Sequence, residues 1–414
     1  MPYRLLLFLS VINILNFFDR YLVQAVEPLL KVELGLSNQQ SGLLGAAFVV
    51  GYCVCAPLFG FFSGRFDRRV LMAVGLVVWS LFTAVTGFAT GFVSFFCARV
   101  LVGIGEASFG AIAPVYLKGR IADTVTLNSA LSLFYVAIPV GSALGYVAGG
   151  LLASHFGWQA AFFLACVPGL LLSLGFLCVA PDQRSQAEGS KPSAEVGFVA
   201  GLIEILRSPV LALTIIGYIF NSFALNGVAM FVVRHVTTLG LDKDEASSIF
   251  GGVLAITGFI GALGGGALAS RFAAQAKNPG YGLLLFVAVT TLIGTPCLGL
   301  AFCAATPMAF FAACFVAQIA LFAGVAPLNT VLVSRAPKGL EALTQGVTIF
   351  LIQLLGAALA PVVIGWGADV LDRSGRGDVA LSYALQIATL AMAISGFVWW
   401  RAAMTEKQRI GDAS

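Results

Sequence analysis

The chain has 414 residues, 59% of them hydrophobic and only 10% charged, with a formal net charge of +4. A soluble globular protein of that composition could not cover its surface with polar groups, so that class is excluded. Long apolar runs recur from end to end, which predicts an all-α polytopic membrane protein rather than a barrel of short alternating strands.

Twelve spans are predicted. Spans 1 to 6 cover residues 5–30, 39–63, 70–90, 94–117, 126–153 and 159–180, and spans 7 to 12 cover 209–233, 246–270, 281–304, 307–333, 341–370 and 380–401. Between them residues 181–208 are polar at their start and contain Pro, Gly and Ser, so they read as a linker. The expected organisation is therefore an N-terminal six-helix bundle (1–180), a linker (181–208), a C-terminal six-helix bundle (209–401) and a short tail (402–414). The first apolar segment is interrupted by Asp19 and Arg20 and reads as a span, not as a cleavable signal.

Span 1 carries a polar stripe. Asn13, Asn16, Arg20, Gln24 and Glu27 recur at spacings of three and four and line one face, with Asp19 at its flank. Facing lipid, such a stripe would be very costly, so it must face protein or water. Asp19 and Arg20 point about 100° apart on an ideal helix and should find partners on another span. The turn after span 2 is basic, with Arg65, Arg68 and Arg69 around Asp67.

Span 4 contains RVLVGIGEASFGAIAP, residues 99–114. Arg99 and Glu106 are two helical turns apart, on one face, about 10.5 Å along the axis. Gly103 and Gly110 share that face. A charge at mid-membrane costs about 2.5–3.5 kcal/mol on insertion scales and is rarely kept without a pathway, a partner or a switch. Span 4 is the expected partner of Asp19 and Arg20. The four charges either couple and bind, or form a buried ion network that locks spans 1 and 4; both hold if the network rearranges.

The halves share Gly-x-x-x-x-Arg-Phe, at 60–66 and again at 266–272. With the six-plus-six count, this fits the paired six-helix halves of major facilitator transporters. The second half lacks the charges. It offers Asn221, Asn226, Gln318, Asn329, Gln345 and Gln353, a neutral wall suited to the tail of an amphiphile, or amides that simply tie helices together. His155 and His235 fall near span ends, so a mid-membrane proton relay would use Asp19 and Glu106.

Sixteen of the 23 Lys and Arg residues fall in the termini and alternate loops, which puts both termini in the cytoplasm. The eight cysteines lie in apolar stretches without metal-ligand spacing and read as packing residues. No metal, cofactor or nucleic-acid partner is expected. Nor is an enzyme, because the deep carboxylates have no accompanying His, Ser or metal cluster.

NFFDRY (16–21), GRFDRR (64–69), RVLVGIGEASFGAIAP (99–114) and FYVAIPVGSALGYVAGG (134–150) together resemble the Spinster-type transporters of the major facilitator superfamily. The resemblance is close over spans 1–5 and looser beyond. It implies secondary active transport by alternating access, lysophospholipids or sphingoid phosphates as cargo, and a response to protons. It matches Asp19 and Arg20 to the family's pair on span 1, and Arg99 and Glu106 to its pair on span 4. Many relatives have an aspartate where this chain has Gly64, and the second-half copy has Ser270 there. Asp67 is then a candidate for the latch, and Arg65, Arg68 and Arg69 for the cytoplasmic gate.

The resulting expectation is a proton-linked carrier of a lysolipid-like or other anionic amphiphile. It would be monomeric, in the cell inner membrane, with Asp19 and Glu106 carrying the proton signal. Arg20, Arg99, Asn16, Asn13 and Gln24 would form the substrate or charge network. A carrier of a small organic anion or drug, and a non-transporting membrane sensor or scaffold, are the competing readings.

Overall fold

The computed structural model describes residues 3–36, 38–179, 197–373 and 379–411. Almost all of them are helical, and the described residues contain no strand. Among the described residues eleven helices are long and apolar enough to cross a membrane, and Asn38–Phe62 adds a shorter apolar stretch, Ala47–Phe62. The first part of the predicted linker, residues 181–196, and the last three residues of the predicted tail lie outside the described residues.

Span 1 is Tyr3–Glu33, span 2 Asn38–Phe62, span 3 Arg68–Thr86 and span 4 Phe92–Lys118. Span 5 is two pieces, Thr124–Tyr135 and Ala137–Phe156. The break falls one turn before Pro139, whose ring replaces the N–H that would bond the Tyr135 carbonyl. Asp123 caps the first piece. Its carboxylate accepts from Thr126 N at 2.7 Å and Thr126 Oγ1 at 2.5 Å, and these bonds hold it below the usual carboxylate range. Span 6 is Trp158–Gly175 with a short 3-10 turn after it.

A further helix, Phe198–Arg207, occupies the end of the stretch read as linker. Span 7 is Pro209–Thr238 and span 9 Pro279–Phe302. Span 8 runs from Lys243 to Gln275 through a π-helical turn at Gly261–Gly265. Span 10 is Pro307–Ala323 and Val325–Arg335, broken at Gly324, one turn before Pro327's missing N–H. Span 11 is Glu341–Leu351, a π-helical turn at Ile352–Ala357, and Leu359–Arg373.

Span 12 runs from Ala380 to Gly411, past its predicted end at 401. Tertiary contacts carry the helix on. Glu406 pairs with Arg335 and accepts from Asn278 Nδ2 at 2.7 Å, and Lys407 lies over the Tyr281 ring.

The chain forms two compact units. The first holds residues up to Ala122, Ala137–Ile205 and Ala336–Phe350; the second holds Asp123–Val136, Leu206–Arg335 and Leu351 onward. Two of the divisions fall at or next to local helix defects. Span 5 is divided at its Val136 break, and span 11 just before its π-helical turn. In the first unit the cluster of Leu22, Val26, Phe95, Trp158 and Phe162 joins spans 1, 4 and 6. In the second, Phe302, Phe310, Leu385 and Met392 join spans 9, 10 and 12.

The repeated Gly-x-x-x-x-Arg-Phe has a packing reason. A Cβ at Gly60 would strike the Ala342 carbonyl of span 11, and one at Gly266 would strike the Ser132 hydroxyl of span 5. Each glycine lets a long span cross the first piece of another at backbone distance, the close approach that small residues permit within membranes. Next to Gly266, Asn128 Nδ2 donates to the Gly266 carbonyl and to Ser270 Oγ, both at 3.0 Å.

Candidate functional site: a buried double ion pair on spans 1 and 4

Span 1 turns its polar stripe onto protein. Asn13, Asn16 and Asp19 are buried, Arg20 and Glu27 are half-buried, and Gln24 is exposed. Span 4 is buried along most of its length, Arg99 and Glu106 included. Its glycines bring span 2 in. A Cβ at Gly103 would meet the Phe48 carbonyl, and one at Gly110 the Tyr52 hydroxyl. The Arg99 face of span 4 is therefore pressed against span 2.

The four charges form two crossed pairs. Arg20 Nε donates to Glu106 Oε2 at 2.8 Å, and Glu106 is 0% exposed. Arg99 Nη1 lies 3.7 Å from Asp19 Oδ1, while its Nη2 donates to the Asp19 carbonyl at 3.3 Å. Asp19 and Arg20 thus point to different partners two turns apart on span 4, as their angular separation requires. Two arginines and two carboxylates leave the cluster neutral, so the pairing offsets much of the cost of burying each charge.

Three aromatic rings surround the Arg20 guanidinium. Its Cζ is 4.8, 4.5 and 4.6 Å from the ring centroids of Phe17, Phe48 and Tyr52. Such faces attract a cation and keep water away from it. Asp19 has another partner, Thr83 of span 3, whose hydroxyl donates to Oδ2 at 2.5 Å.

Several buried atoms of the cluster lack a hydrogen bond: Asn16 Nδ2, Asp19 Oδ1, Arg99 Nε and Nη1, and Glu106 Oε1. Of these, Arg99 Nη1 and Asp19 Oδ1 face each other as the ion pair. Gln24 stands apart, accepting from Tyr146 Oη at 2.5 Å.

The neutral residues have the following partners. Asn226 bonds back to Ser222 of its own helix, Gln318 accepts from Thr257 at 2.9 Å, and Asn329 bonds Val325 O and Tyr218 Oη. Asn221 is buried with an unbonded Oδ1. Gln345 belongs to the first unit, with the charged cluster, whereas the other four belong to the second. Gln353 lies in the π-helical turn of span 11. His155 is exposed, and His235 is buried beside Phe302 and Phe310.

At the turn after span 2 the basic residues part company. Arg68 Nη2 lies 3.8 Å from Glu341 Oε2, both side chains buried, and Glu341 opens span 11. Arg69 Nη1 donates to the Val179 carbonyl at 2.9 Å, and Arg65 lies over the Phe61 ring. Asp67 caps span 3 by accepting from Arg69 N at 2.8 Å. Arg68 thus reaches an acidic group of the other sequence half.

Thr83, the three rings and Glu341 were not picked out from the sequence. Thr83 follows Met72, Leu76, Trp79 and Ser80 along the buried face of span 3, a periodicity that marks the face but not the partner. Among the described residues no group of three His, Cys, Asp or Glu could hold a metal ion.

A bundle of apolar spans with a buried, neutralised charge network is the construction of a solute-moving membrane protein. The comparisons agree. The profile of the Major Facilitator Superfamily matches residues 9–361. Protein spinster homolog 1 of Homo sapiens is 31% identical over 419 residues, covering 94% of this chain and 78% of that one. The sphingosine-1-phosphate transporter SPNS2 of Mus musculus is 28% identical, covering 96% and 76%. A bacterial homolog of the human lysosomal transporter Spinster, solved inward-facing and unoccupied, shares the fold. Its TM-score is 0.66 at 22% identity, with 98% of each chain covered.

The chain belongs to the major facilitator superfamily and, within it, to the spinster family. It is an integral membrane transporter, not an enzyme.

Proposed function

We propose that this transporter moves an anionic amphiphile of lysophospholipid or sphingoid-phosphate type by alternating access, coupled to protons. The observation that carries this reading is the crossed pairing of Asp19 with Arg99 and of Arg20 with Glu106, buried and incompletely bonded. A proton on Glu106 or Asp19 would remove the charge that holds its arginine. That guanidinium would then be available to a phosphate, which it binds in a planar, two-pronged way. Burial favours the neutral acid and a neighbouring arginine favours the carboxylate, so a conformational change that alters either one moves a proton. The two carboxylates titrate as a coupled set.

The sphingosine-1-phosphate transport named for the mouse relative supports a lipid with a phosphate head. The working unit is a monomer of two six-helix halves, 1–180 and 209–401, in the cell inner membrane. Both termini and the basic turn after span 2 face the cytoplasm, by the bias of Lys and Arg. Arg65, Asp67, Arg68 and Arg69 form the gate there.

The test is uptake or release of labelled lysophospholipid, sphingoid phosphate and a short organic anion by proteoliposomes, with and without an imposed pH gradient. Transport of the amphiphiles driven by the gradient supports the reading. Equal transport of the short anion moves it to the organic-anion class.

A further inference from the structure

His235 belongs to the second unit and takes no part in the charged cluster. It lies one turn before the end of span 7 and is 2% exposed. The Phe302 ring, at the end of span 9, stands edge-on to it at 5.8 Å, and the Phe310 ring, near the start of span 10, lies at 5.3 Å. Its Nδ1 is 3.3 Å from Ser382 Oγ, near the start of span 12. Its Nε2 is buried without a hydrogen bond. Four spans of one unit thus close over a single imidazole.

A neutral imidazole has one donor and one acceptor nitrogen. In either tautomer Ser382 serves Nδ1, and Nε2 is left as a stranded donor or acceptor. A further proton makes both nitrogens donors. Ser382 can still accept from Nδ1, but Nε2–H then needs an acceptor, and the ring carries a full charge. The Phe faces attract a cation, though less than water does. The charged ring therefore calls for water at Nε2, and water enters only if the seam of Phe302, Phe310 and Ser382 parts. Among the described residues no charged group acts on this ring. Arg234 beside it is exposed, as are Asp242 and Glu245 at the start of span 8, Asp369 and Asp372 at the end of span 11, and Tyr383 on span 12. Span 9 adds the Cys303 sulfur, which accepts from Gln386 Nε2 at 3.5 Å.

The first unit joins its own first and last spans by other means. Trp158 Nε1, at the start of span 6, donates to Glu33 Oε2, at the end of span 1, at 2.7 Å, and the indole packs on Phe95 and Phe162. That joint holds no imidazole, the one side chain whose ordinary titration falls between about pH 5 and 8. We propose that His235 is a proton-binding site separate from the charged cluster. Neutral, it seals the seam of spans 7, 9, 10 and 12; protonated, it holds that seam open to water. This depends neither on the cargo nor on the ion pairs of spans 1 and 4.

The test uses the full chain in nanodiscs with a single cysteine. In one form this is native Cys314, 0% exposed and one turn from Phe310; in the other it is Val236→Cys, at a 0% exposed position beside His235. Labelling by 4,4′-dithiodipyridine, divided by the rate for the SDS-unfolded chain at the same pH, reads how often the seam opens. Proton uptake by a solvated imidazole, which titrates near about 6.5, should raise opening about tenfold from about pH 8 to about pH 5.5. The rise is expected in the wild-type background and absent in His235→Gln. A flat profile at both cysteines overturns the proposal, and so does a rise that survives His235→Gln. With Asp19→Asn and Glu106→Gln together the rise should persist; its loss there overturns the proposal and leaves the charged-cluster reading standing. The chain has two histidines, so His155→Gln leaves one labelled imidazole for saturation-transfer NMR. A minor protonated state of His235 should grow as the cysteine rate grows. A rate that rises without that state overturns the proposal, whether or not His235→Gln folds.

Discussion

Arg20 and Glu106 are joined across spans 1 and 4 by a 2.8 Å bond from Nε to Oε2, inside a wall of Phe17, Phe48 and Tyr52. Removing one partner leaves the other charge buried and uncompensated. Arg20→Ala should therefore cost about 3–5 kcal/mol of stability. Glu106→Gln also removes a charge, but its amide oxygen can still accept from Arg20 Nε and Arg20 keeps 19% exposure, so it should cost less. Arg20→Lys keeps the charge but loses the planar fork and should bind substrate poorly while folding well. Thermal unfolding and ligand binding of the three purified variants separate these outcomes; equal melting temperatures for Arg20→Ala and Glu106→Gln would count against a buried pair.

Two glycines four residues apart should behave differently. A Cβ at Gly60 would strike the Ala342 backbone, whereas at Gly64 its nearest neighbours are the Phe61 carbonyl at 3.5 Å and the Gly339 carbonyl at 3.7 Å. Gly60→Ala is thus overpacked, at about 1–3 kcal/mol, and should loosen residues 336–350 from span 2. Gly64→Ala should be nearly neutral. Accessibility of a cysteine at Lys338 to a thiol reagent reads this directly, and the same labelling for both variants would contradict it.

Arg68 and Glu341 are both buried, 3.8 Å apart, and join the turn after span 2 to the start of span 11. The account predicts that Arg68→Ala and Glu341→Ala each weaken that packing and that the double variant is no worse than either. Additive losses in a double-mutant cycle would mean the two side chains act separately. Gly64→Asp, which the local space accommodates, should favour the outward-open state. Spin-label distances across the gate that do not move would refute the latch.

If the cargo is an anionic amphiphile, affinity should climb with acyl length. Each buried methylene contributes about 0.8 kcal/mol, close to fourfold, until the pocket is full. Titration with a homologous series of lysophospholipids measures the slope, and a flat series would favour a small organic anion.

The charged cluster was legible because a charge inside an apolar run has few bland explanations. The spacing of Arg99 and Glu106, and the angle between Asp19 and Arg20, implied a meeting of spans 1 and 4. Thr83 was not legible, because a hydroxyl in a membrane helix usually bonds its own backbone, as Thr86 does to Phe82. Glu341 was hidden by position, since an acid at a helix start is already explained by the helix dipole. How the amides of the second half are bonded was not legible for a related reason. Asn226 and Asn329 each bond a carbonyl one turn back on their own helix, and Asn329 also reaches Tyr218 of span 7; one sequence does not say which amides will do so. The helix Phe198–Arg207 was absorbed into a linker because the polar stretch before it dominates the composition.

The most direct test of proton coupling through this cluster is the ratio of inward-open to outward-open protein against pH. Double electron–electron resonance would read it in wild type, Glu106→Gln, Asp19→Asn and the double variant. The account predicts that the wild-type ratio shifts with pH, that each single variant blunts the shift, and that the double variant is flat. A double variant that still follows pH as the wild type does would contradict the assignment of Asp19 and Glu106 as the switch.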